Sequence, residues 1–332
     1  MGCARAAPGL AARPRGARRR AMQQGEEQQA QTKRPKMSIS MATHSGTFQC
    51  DEALGIWMLR QLPKWKGANL VRSRDNAVLD AITAAGGIVI DVGGRYNPAD
   101  LRFDHHQRGF FETFDGEPGS ARSAEEAVGR FKTKLSATGL VYKHFGKELL
   151  QALHPDLVGS RLEACYTQLY KQMIEGIDAI DNGIAASDEL RYHEGTGLSS
   201  RIARLNPRWN DPKLDQEGED ARFEVASALA GAEFSEQLDS LVGSWLPARD
   251  EVEKALLERA SVHSSAQVLC FPSGGMPWKT HLYELERQHS VEPLVLFVLY
   301  EDSSGMWRVQ AVTVEGTSPL NKSWFGLFTS EI

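Results

Sequence analysis

Asp104-His105-His106 is the stretch that decides the predicted fold, and two earlier stretches, Thr43–Glu52 (THSGTFQCDE) and Ile88–Gly94 (IVIDVGG), lead to the same place. An apolar run typical of a buried strand leads into each earlier stretch, and a metal-capable side chain follows it, close to glycine. Parallel strands of an open sheet gather ligand-binding residues at their carboxyl ends. We therefore expect five side chains to meet at one sheet edge: His44, Asp51, Asp91, Asp104 and His105.

The chemistry of this group indicates the kind of metal ion. Carboxylates and imidazoles without thiolates suit a hard or borderline divalent ion such as Mn²⁺ or Mg²⁺. The four cysteines are widely scattered and form no CxxC pair. The sequence therefore indicates neither a disulfide framework nor a zinc site made of thiolates, and it fits a reducing compartment.

Charge is distributed unevenly along the chain. Residues 1–36 carry nine Lys/Arg and two Asp/Glu, whereas the remainder carries 29 basic and 41 acidic side chains, a net charge of −12. A wide electrostatic grip on duplex DNA is excluded for the acidic part, because neutralising many phosphates needs many cations. Binding of nucleic acid would therefore depend on metal ions and local arginines.

The N-terminal segment is typical of an address rather than of a folded domain. Residues 1–25 contain six arginines, many alanines and no acid, as in an organellar transit peptide, which predicts the mitochondrion. The basic cluster Thr32–Lys36 is compatible with a nuclear signal, and a tail without any address, in the nucleus or cytoplasm, stays an alternative. Met37 or Met41 is an alternative start. No apolar run approaches the ~18 residues that span a bilayer, so no membrane is predicted as a partner.

Strands and helices alternate in the first third of the chain. We predict strands at Met37–Thr43, Asn69–Arg72 and Ile88–Val92, with helices at Asp51–Leu62 and Ala77–Ala84 between them. This order is typical of an α/β domain with a parallel sheet and right-handed crossovers.

The rest of the chain is predicted to be a loop, a set of helices and a smaller α/β domain. The loop is Phe110–Lys134, and the helices are Leu135–Leu153, Arg161–Asp181 and most of Asp211–Ala260, the last acting as a linker. Strands at Gln267–Phe271, Leu294–Tyr300 and Trp307–Val314 indicate the second domain. The predicted division is a tail at 1–36, a metal-binding catalytic domain at 37–195, a helical connector at 196–260 and a substrate-side domain at 261–332.

The combination of these features resembles the DHH phosphoesterase superfamily, which contains RecJ-type exonucleases, nanoRNases and family II inorganic pyrophosphatases. More closely, most of residues 40–325 resemble the melanocyte-proliferating-gene family, whose members act as 3′–5′ RNA exonucleases in mitochondria and nucleus. The matching motifs are Thr43–Leu54, Asp91–Gly94, Phe103–Arg108, Leu135–Tyr142, Asp178–Gly183, Leu205–Asn210, Ser244–Arg249 and Pro277–Glu286.

The resemblance implies a centre with two Mn²⁺ or Mg²⁺ ions, arranged around a bridging Asp91. It assigns His44 and Asp91 to one ion, and to the other ion Asp51, Asp91, His105 and Asp181. Two such ions stabilise the attacking and leaving oxygens of an in-line displacement, so that neither a serine nor a cysteine nucleophile is needed.

The resemblance also implies which residues act on substrate. Asp91, His106 and Asp104 are the expected catalytic residues, with His106 facing the scissile phosphate. The expected substrate is single-stranded RNA, short or at its 3′ end. Its phosphates would meet His106 and three arginines able to bind them in bidentate fashion: Arg108, Arg201 and Arg204. For Arg201 and Arg204 a structural salt bridge is the alternative.

Two departures from the family pattern bear on activity. Gln49 stands where the family has the histidine that supplies the third ligand of the first ion, so that water or another residue would have to complete that site. The family also continues past a tryptophan near Trp324 to a glycine-rich stretch, which Phe325–Ile332 does not match, so we expect a C-terminally truncated product.

Because of these departures, two alternatives to an RNA exonuclease stay open. One is a phosphatase or pyrophosphatase acting on small substrates. The other is a catalytically weakened protein that binds metal or RNA without turnover.

Overall fold

The computed structural model describes residues 1–2, 39–189, 191–271 and 274–315. The predicted address segment, apart from its first two residues, and the predicted C-terminal departure lie outside the described residues. Among the residues that are described, no helix is both long and apolar enough to cross a membrane.

The first sheet has five strands, in the order β2-β1-β3-β5-β4. Strand β1 pairs in parallel with β2 and β3, β3 pairs in parallel with β5, and the edge strand β4 is antiparallel to β5. The predicted α/β class with a parallel sheet is therefore confirmed. The strands are β1 Ser40–Thr43, β2 Asn69–Arg72, β3 Ile88–Ile90, β4 Tyr96–Asn97 and β5 Arg102–Phe103.

Two crossover helices connect these strands, α1 Cys50–Gln61 and α2 Asn76–Ala84. Helix α1 buries most of its length and ends just before Pro63, which cannot continue a helix. The start of β3 depends on Gly87, because a Cβ atom there would lie 2.3 Å from the carbonyl oxygen of Ser40. Glycine therefore lets β3 approach β1 closely enough to pair.

Helices cover the middle of the chain. The structure describes every residue of the predicted loop 110–134 and contains no helix or strand there. The single helix predicted over Arg161–Asp181 is interrupted by a π-helical turn at Tyr170–Ile174. The region Asp211–Ala260, predicted to be mostly helical, contains a second π-helical turn at Leu241–Trp245. The helices are α3 Ala137–Leu153, α4 Gly159–Leu169, α5 Glu175–Asp181, α6 Leu198–Ala203, α7 Gln216–Ser240 and α8 Leu246–Val262.

A second sheet follows, with β6 Val268–Phe271, β7 Phe297–Glu301 and β8 Trp307–Ala311 in that order. Strands β6 and β7 are parallel, whereas β7 and β8 are antiparallel. The parallel pair requires a crossover, and helix α9 Trp278–Gln288 provides it. We did not predict this helix from the sequence, although its buried residues recur at helical spacing.

The described residues form three apolar cores. The largest core runs from Met41 to Leu246, and a second contains Val252 and Leu256 together with the second sheet and α9. These two cores therefore both contact α8, one near its start and the other in its middle. The third and smallest core packs Ala42 and Val89 of the first sheet against Leu79 of α2. The division into domains at 195 and 260 stays a prediction.

Candidate metal centre

Three neighbouring parallel strands deliver the central residues of the site. His44 follows β1, Asp91 follows β3, and Asp104 and His105 follow β5. Because β3 lies between β1 and β5 and pairs in parallel with both, these residues lie at one edge of the sheet.

Asp91 lies at the middle of the group. Its Oδ2 atom is 3.2 Å from Nε2 of His44, and its Oδ1 atom is 3.3 Å from Nε2 of His105. Its backbone has a φ of 55°, in the left-handed region, so that β3 ends one residue before it. Such a conformation costs a non-glycine residue roughly 1 kcal/mol or more and is concentrated at functional sites.

Two helices bring further carboxylates to this edge. Asp51 lies in the first turn of α1, and Asp181 is the last residue of α5, with Oδ2 3.1 Å from Nε2 of His105. Three overlapping groups of side chains each bring ligand atoms within 4.8 Å of one another. These groups are His44 with Glu52 and Asp91, Asp51 with His105 and Asp181, and Asp91 with His105 and His106.

Many polar atoms of these groups are buried without a hydrogen-bond partner among the described residues. Buried polar groups in proteins are nearly always hydrogen-bonded, so such a concentration needs a cause. Glu52, Asp91 and Asp181 lie within ion-pair distance of histidine nitrogens, and Asp51 lies within 4.8 Å of His105 and Asp181, as ligands around an ion do. The atoms are both carboxylate oxygens of Asp51, Oε2 of Glu52, Oδ1 of Asp91, both ring nitrogens of His105 and Oδ2 of Asp181. The residues present therefore fit divalent cations.

The protonation equilibria show the same excess of negative charge. Burial alone would lower the pKa of His44, but the carboxylates of Asp91 and Glu52 outweigh it and raise this pKa to about 10. Asp181 and Asp91 raise the pKa of His105 to about 9 in the same way. Burial, with the nearby Asp91, raises the pKa of the Asp51 carboxyl. Protons on His44, His105 and Asp51 therefore offset the negative charge when no ion is bound, and metal binding would displace them.

Asp104 holds its neighbours in place and does not join these groups. Its Oδ2 accepts a hydrogen bond of 2.5 Å from the Gly94 backbone, and its Oδ1 accepts bonds from the backbone and Nδ1 of His106 at 3.1 and 2.8 Å. These donors outweigh burial and lower the pKa of Asp104. Asp104 thus fixes the ring of His106, whose side chain is 60% exposed.

The three predicted phosphate-binding arginines lie in different surroundings. The guanidinium of Arg201 bonds to Glu233 at 2.6 Å, and that of Arg204 bonds to the carbonyl oxygen of Gly195 at 2.7 Å. Arg108 is exposed, two residues after His106. In the part of the chain that the structure describes, none of the three is among the residues lining the two cavities at the metal centre.

The first of these cavities, the polar cavity, has a volume of about 380 Å³ and is lined by His44, Asp91, Gly94 and His106 among others. Arg74, which the sequence analysis missed, also lines it, with Nη2 3.1 Å from Nδ1 of His44. The signal for Arg74 was its position two residues after β2, at the same edge of the sheet.

The second cavity, the serine cavity, has a volume of about 210 Å³ and contains Ser199 and Ser200 of α6, Ile177 of α5 and Asp51. Gln49 lines both cavities.

Comparisons with known proteins identify relatives along almost the whole chain. The family MYG1_exonuc, described as "Uncharacterised protein family (UPF0160)", matches residues 40–332. A Mus musculus protein named MYG1 exonuclease is 44% identical over 316 residues, which are 91% of this chain and 79% of that protein. The Homo sapiens MYG1 exonuclease is 44% identical over 296 residues, 86% of this chain and 74% of that protein.

More distant similarities extend to fungi and bacteria. The Saccharomyces cerevisiae MYG1 protein YER156C is 39% identical over 292 residues, 85% of this chain and 80% of that protein. Among solved structures, RecJ from Thermus thermophilus in complex with Mn²⁺ matches 92% of this chain and 49% of its own, at 16% identity and a TM-score of 0.24.

Proposed function

The chain belongs to the MYG1 exonuclease family (UPF0160), and from this premise we propose that it is a two-metal phosphoesterase acting as a 3′–5′ RNA exonuclease. The observation that carries the proposal is the cluster of buried, unpartnered ligand atoms around Asp91 at the carboxyl edge of the parallel sheet. Relatives that are 44% identical carry the name exonuclease, and the residue types in the cluster suit Mn²⁺ or Mg²⁺.

The proposed ligand sets share Asp91. His44 and Asp91 would hold one ion, and the other would be held by Asp91 with Asp51, His105 and Asp181. Divalent ions bound there would supply activated water and stabilise negative charge on the phosphate. The two oxygens of Asp91 already face different histidines, at 3.2 and 3.3 Å, which supports a bridging role.

His106 is the proposed catalytic acid and phosphate ligand. Its Nδ1–H donates to Asp104, which leaves Nε2 as the nitrogen available to a substrate in the polar cavity. The hydrogen bond to Asp104 raises the pKa of His106, outweighing partial burial, and so favours the protonated ring. A proton on Nε2 can therefore bind a phosphate oxygen or pass to the leaving oxygen.

Arg74 is the arginine that we propose to bind a substrate phosphate, in place of Arg201 and Arg204. Its guanidinium contacts Nδ1 of His44 and the carbonyl oxygen of Ser45 and lines the polar cavity. Arg201 and Arg204 line neither of the two cavities. Arg108 stays a candidate because it is exposed next to the His106 loop. With few cations at the site and an acidic chain around it, the proposed substrate is a short single strand rather than a long duplex.

The test is degradation of a 5′-labelled RNA oligonucleotide with Mn²⁺. We expect stepwise shortening from the 3′ end and loss of activity with EDTA. Asp91→Asn should reduce the rate by ~100-fold or more, since even residues that only orient metal ligands contribute 10–100-fold. The control is Asp188→Asn, which removes an exposed carboxylate, and it should retain full activity.

Other outcomes would assign the alternatives. Hydrolysis of pyrophosphate or short phosphates with intact RNA would identify a small-substrate phosphatase. Bound Mn²⁺ without turnover of either substrate would identify a binding protein. Near-normal activity of Asp91→Asn would refute the bridging role of Asp91.

We also propose a mitochondrial location, on the basis of the arginine- and alanine-rich residues 1–25. A fusion of residues 1–36 to a fluorescent protein should co-localise with a mitochondrial dye. Nuclear or diffuse fluorescence would contradict this location.

A further inference from the structure

Gln49 is a poor candidate for the third ligand of the ion assigned to His44 and Asp91. Its side chain is exposed at the junction of the two cavities. Its backbone is extended, with φ −120° and ψ −176°, and forms the N-cap of α1. A neutral amide oxygen is also a weaker partner for a divalent cation than a carboxylate or an imidazole. Water or a different residue must therefore complete this ligand set.

Glu52 brings a carboxylate next to His44 and Asp91. Its side chain is fully buried, and its Oε1 atom is 3.0 Å from Nε2 of His44. Glu52, His44 and Asp91 each offer a ligand atom within 4.8 Å of the others. The same nitrogen of His44 also faces Oδ2 of Asp91, at 3.2 Å. Two carboxylates thus converge on one imidazole nitrogen, as they would around a shared cation.

Helix capping explains only part of this arrangement. Glu52 is the third residue of α1, and its Oε1 accepts a hydrogen bond of 2.8 Å from the backbone N–H of Gln49, as the acid of a capping box does. Capping accounts neither for the contact with His44 nor for Oε2, which is buried without a hydrogen-bond partner among the described residues. A buried carboxylate oxygen without a partner is costly unless a cation neutralises it.

We propose that Glu52, and not Gln49, supplies the third protein ligand of the ion held by His44 and Asp91. The inference rests on the proposed function, because it takes the two-ion centre as given. One imidazole and two carboxylates match the double charge of the ion and favour hard, oxygen-preferring cations such as Mn²⁺ and Mg²⁺. The missing histidine at position 49 therefore does not remove the first ion.

The experiment is a titration of the full-length protein with Mn²⁺, following free Mn²⁺ by electron paramagnetic resonance and bound stoichiometry by calorimetry. The wild type should bind two ions. Glu52→Gln should keep the ion assigned to Asp51, His105 and Asp181 and bind the other at least ~10-fold more weakly, since its charged ligand is lost. Gln49→Ala should bind both ions as the wild type does.

Two features of the variants keep the comparison specific. The amide oxygen of Glu52→Gln can still accept the hydrogen bond from the Gln49 backbone, so the start of α1 is retained. The matched control is Glu112→Gln, because Glu112 is likewise a buried glutamate that accepts a backbone N–H bond, from Gly119 at 2.8 Å, outside the metal groups. It should leave Mn²⁺ binding unchanged. Glu52→Asp, which keeps the charge but is one methylene shorter, provides a second variant if Glu52→Gln does not fold, and should weaken the same single ion.

The outcomes separate this proposal from the proposed function. Two ions in both the wild type and Glu52→Gln would overturn the role of Glu52 and leave the two-metal centre intact. If Gln49→Ala lost an ion and Glu52→Gln kept both, the third ligand would be Gln49. No Mn²⁺ bound by the folded wild type would overturn the two-metal centre itself.

Discussion

Asp178 provides the most quantitative test of how the metal centre is built, because it anchors the helix that carries Asp181. Its carboxylate is fully buried, one turn before Asp181 in α5. Oδ1 accepts hydrogen bonds from Ser136 N–H at 3.0 Å, Ser136 Oγ at 2.7 Å and Gly139 N–H at 3.0 Å, and Oδ2 accepts one from Tyr170 OH at 3.1 Å. These bonds tie the end of α5 to the start of α3.

The sizes of two substitutions follow from these bonds. Asp178→Ala leaves two backbone donors and two hydroxyls facing a cavity. Each unsatisfied buried group costs ~1–3 kcal/mol, so we expect the free energy of unfolding to fall by about 4 kcal/mol after relaxation. Asp178→Asn keeps one oxygen for the three donors at Oδ1, and the Tyr170 hydroxyl can rotate to accept from the new amide. We expect the free energy of unfolding of Asp178→Asn to be lower than that of the wild type by only about 1 kcal/mol at pH 5.

The difference in stability between the wild type and Asp178→Asn should depend on pH, because Asp178 titrates and asparagine does not. Burial raises the pKa of Asp178 to about 7, even though the four donors oppose it. The folded protein therefore holds this proton more tightly than the unfolded chain does. The stability that comes from the protonated group is fully present below pH ~4 and is lost as pH rises to ~7. Because the Asn variant has no such group, the difference between its free energy of unfolding and that of the wild type should shrink between pH 5 and pH 8.

The assay is urea unfolding of the wild type and both variants in EDTA at pH 5 and pH 8. A parallel Mn²⁺ titration should show that Asp178→Asn still binds the ion assigned to Asp181. If Asp178→Ala and Asp178→Asn lowered the free energy of unfolding equally, the hydrogen bonds of Asp178 would not account for its contribution to stability. A deficit of Asn that grows towards pH 8 would show that the protein requires the ionised carboxylate.

Two further predictions concern substrate binding and the second core. Arg74→Ala should raise KM for RNA about tenfold, the effect of losing one charged hydrogen bond, whereas Arg201→Ala, whose side chain already pairs with Glu233, should leave KM unchanged. Steady-state kinetics distinguish them, and equal effects would contradict the choice of Arg74. Burial lowers the pKa of His281 to about 4, with Nε2–H donating to the Trp245 carbonyl oxygen at 2.7 Å. The neutral form of His281 therefore stabilises the fold above pH ~6.5, and up to about 3 kcal/mol of the free energy of unfolding is lost as pH falls towards 4. Melting curves of His281→Gln should lack this acid loss, and an unchanged acid profile would count against it.

The amino-acid sequence alone determined the α/β class, the parallel sheet and the family. Alternation of strands and helices permits few topologies, and in a parallel sheet the residues after each strand must lie at one edge. This is why His44 and Asp91 could be placed together without a structure, whereas strand β5, which delivers His105, was not predicted. Their roles as metal ligands stay a prediction.

Only the tertiary structure decided which other side chains reach that edge. Phosphate binding by Arg108, Arg201 and Arg204 stays a prediction. The structure adds that Arg201 pairs with Glu233, that Arg204 bonds to the Gly195 carbonyl, and that Arg74 lines the polar cavity. Glu52 was given no role from the sequence, and its contact with His44 is visible only in the structure. Spacing along the chain specifies where a backbone position lies in its element, whereas the contacts of a long side chain depend on rotamers and on neighbours that folding brings from distant parts of the chain.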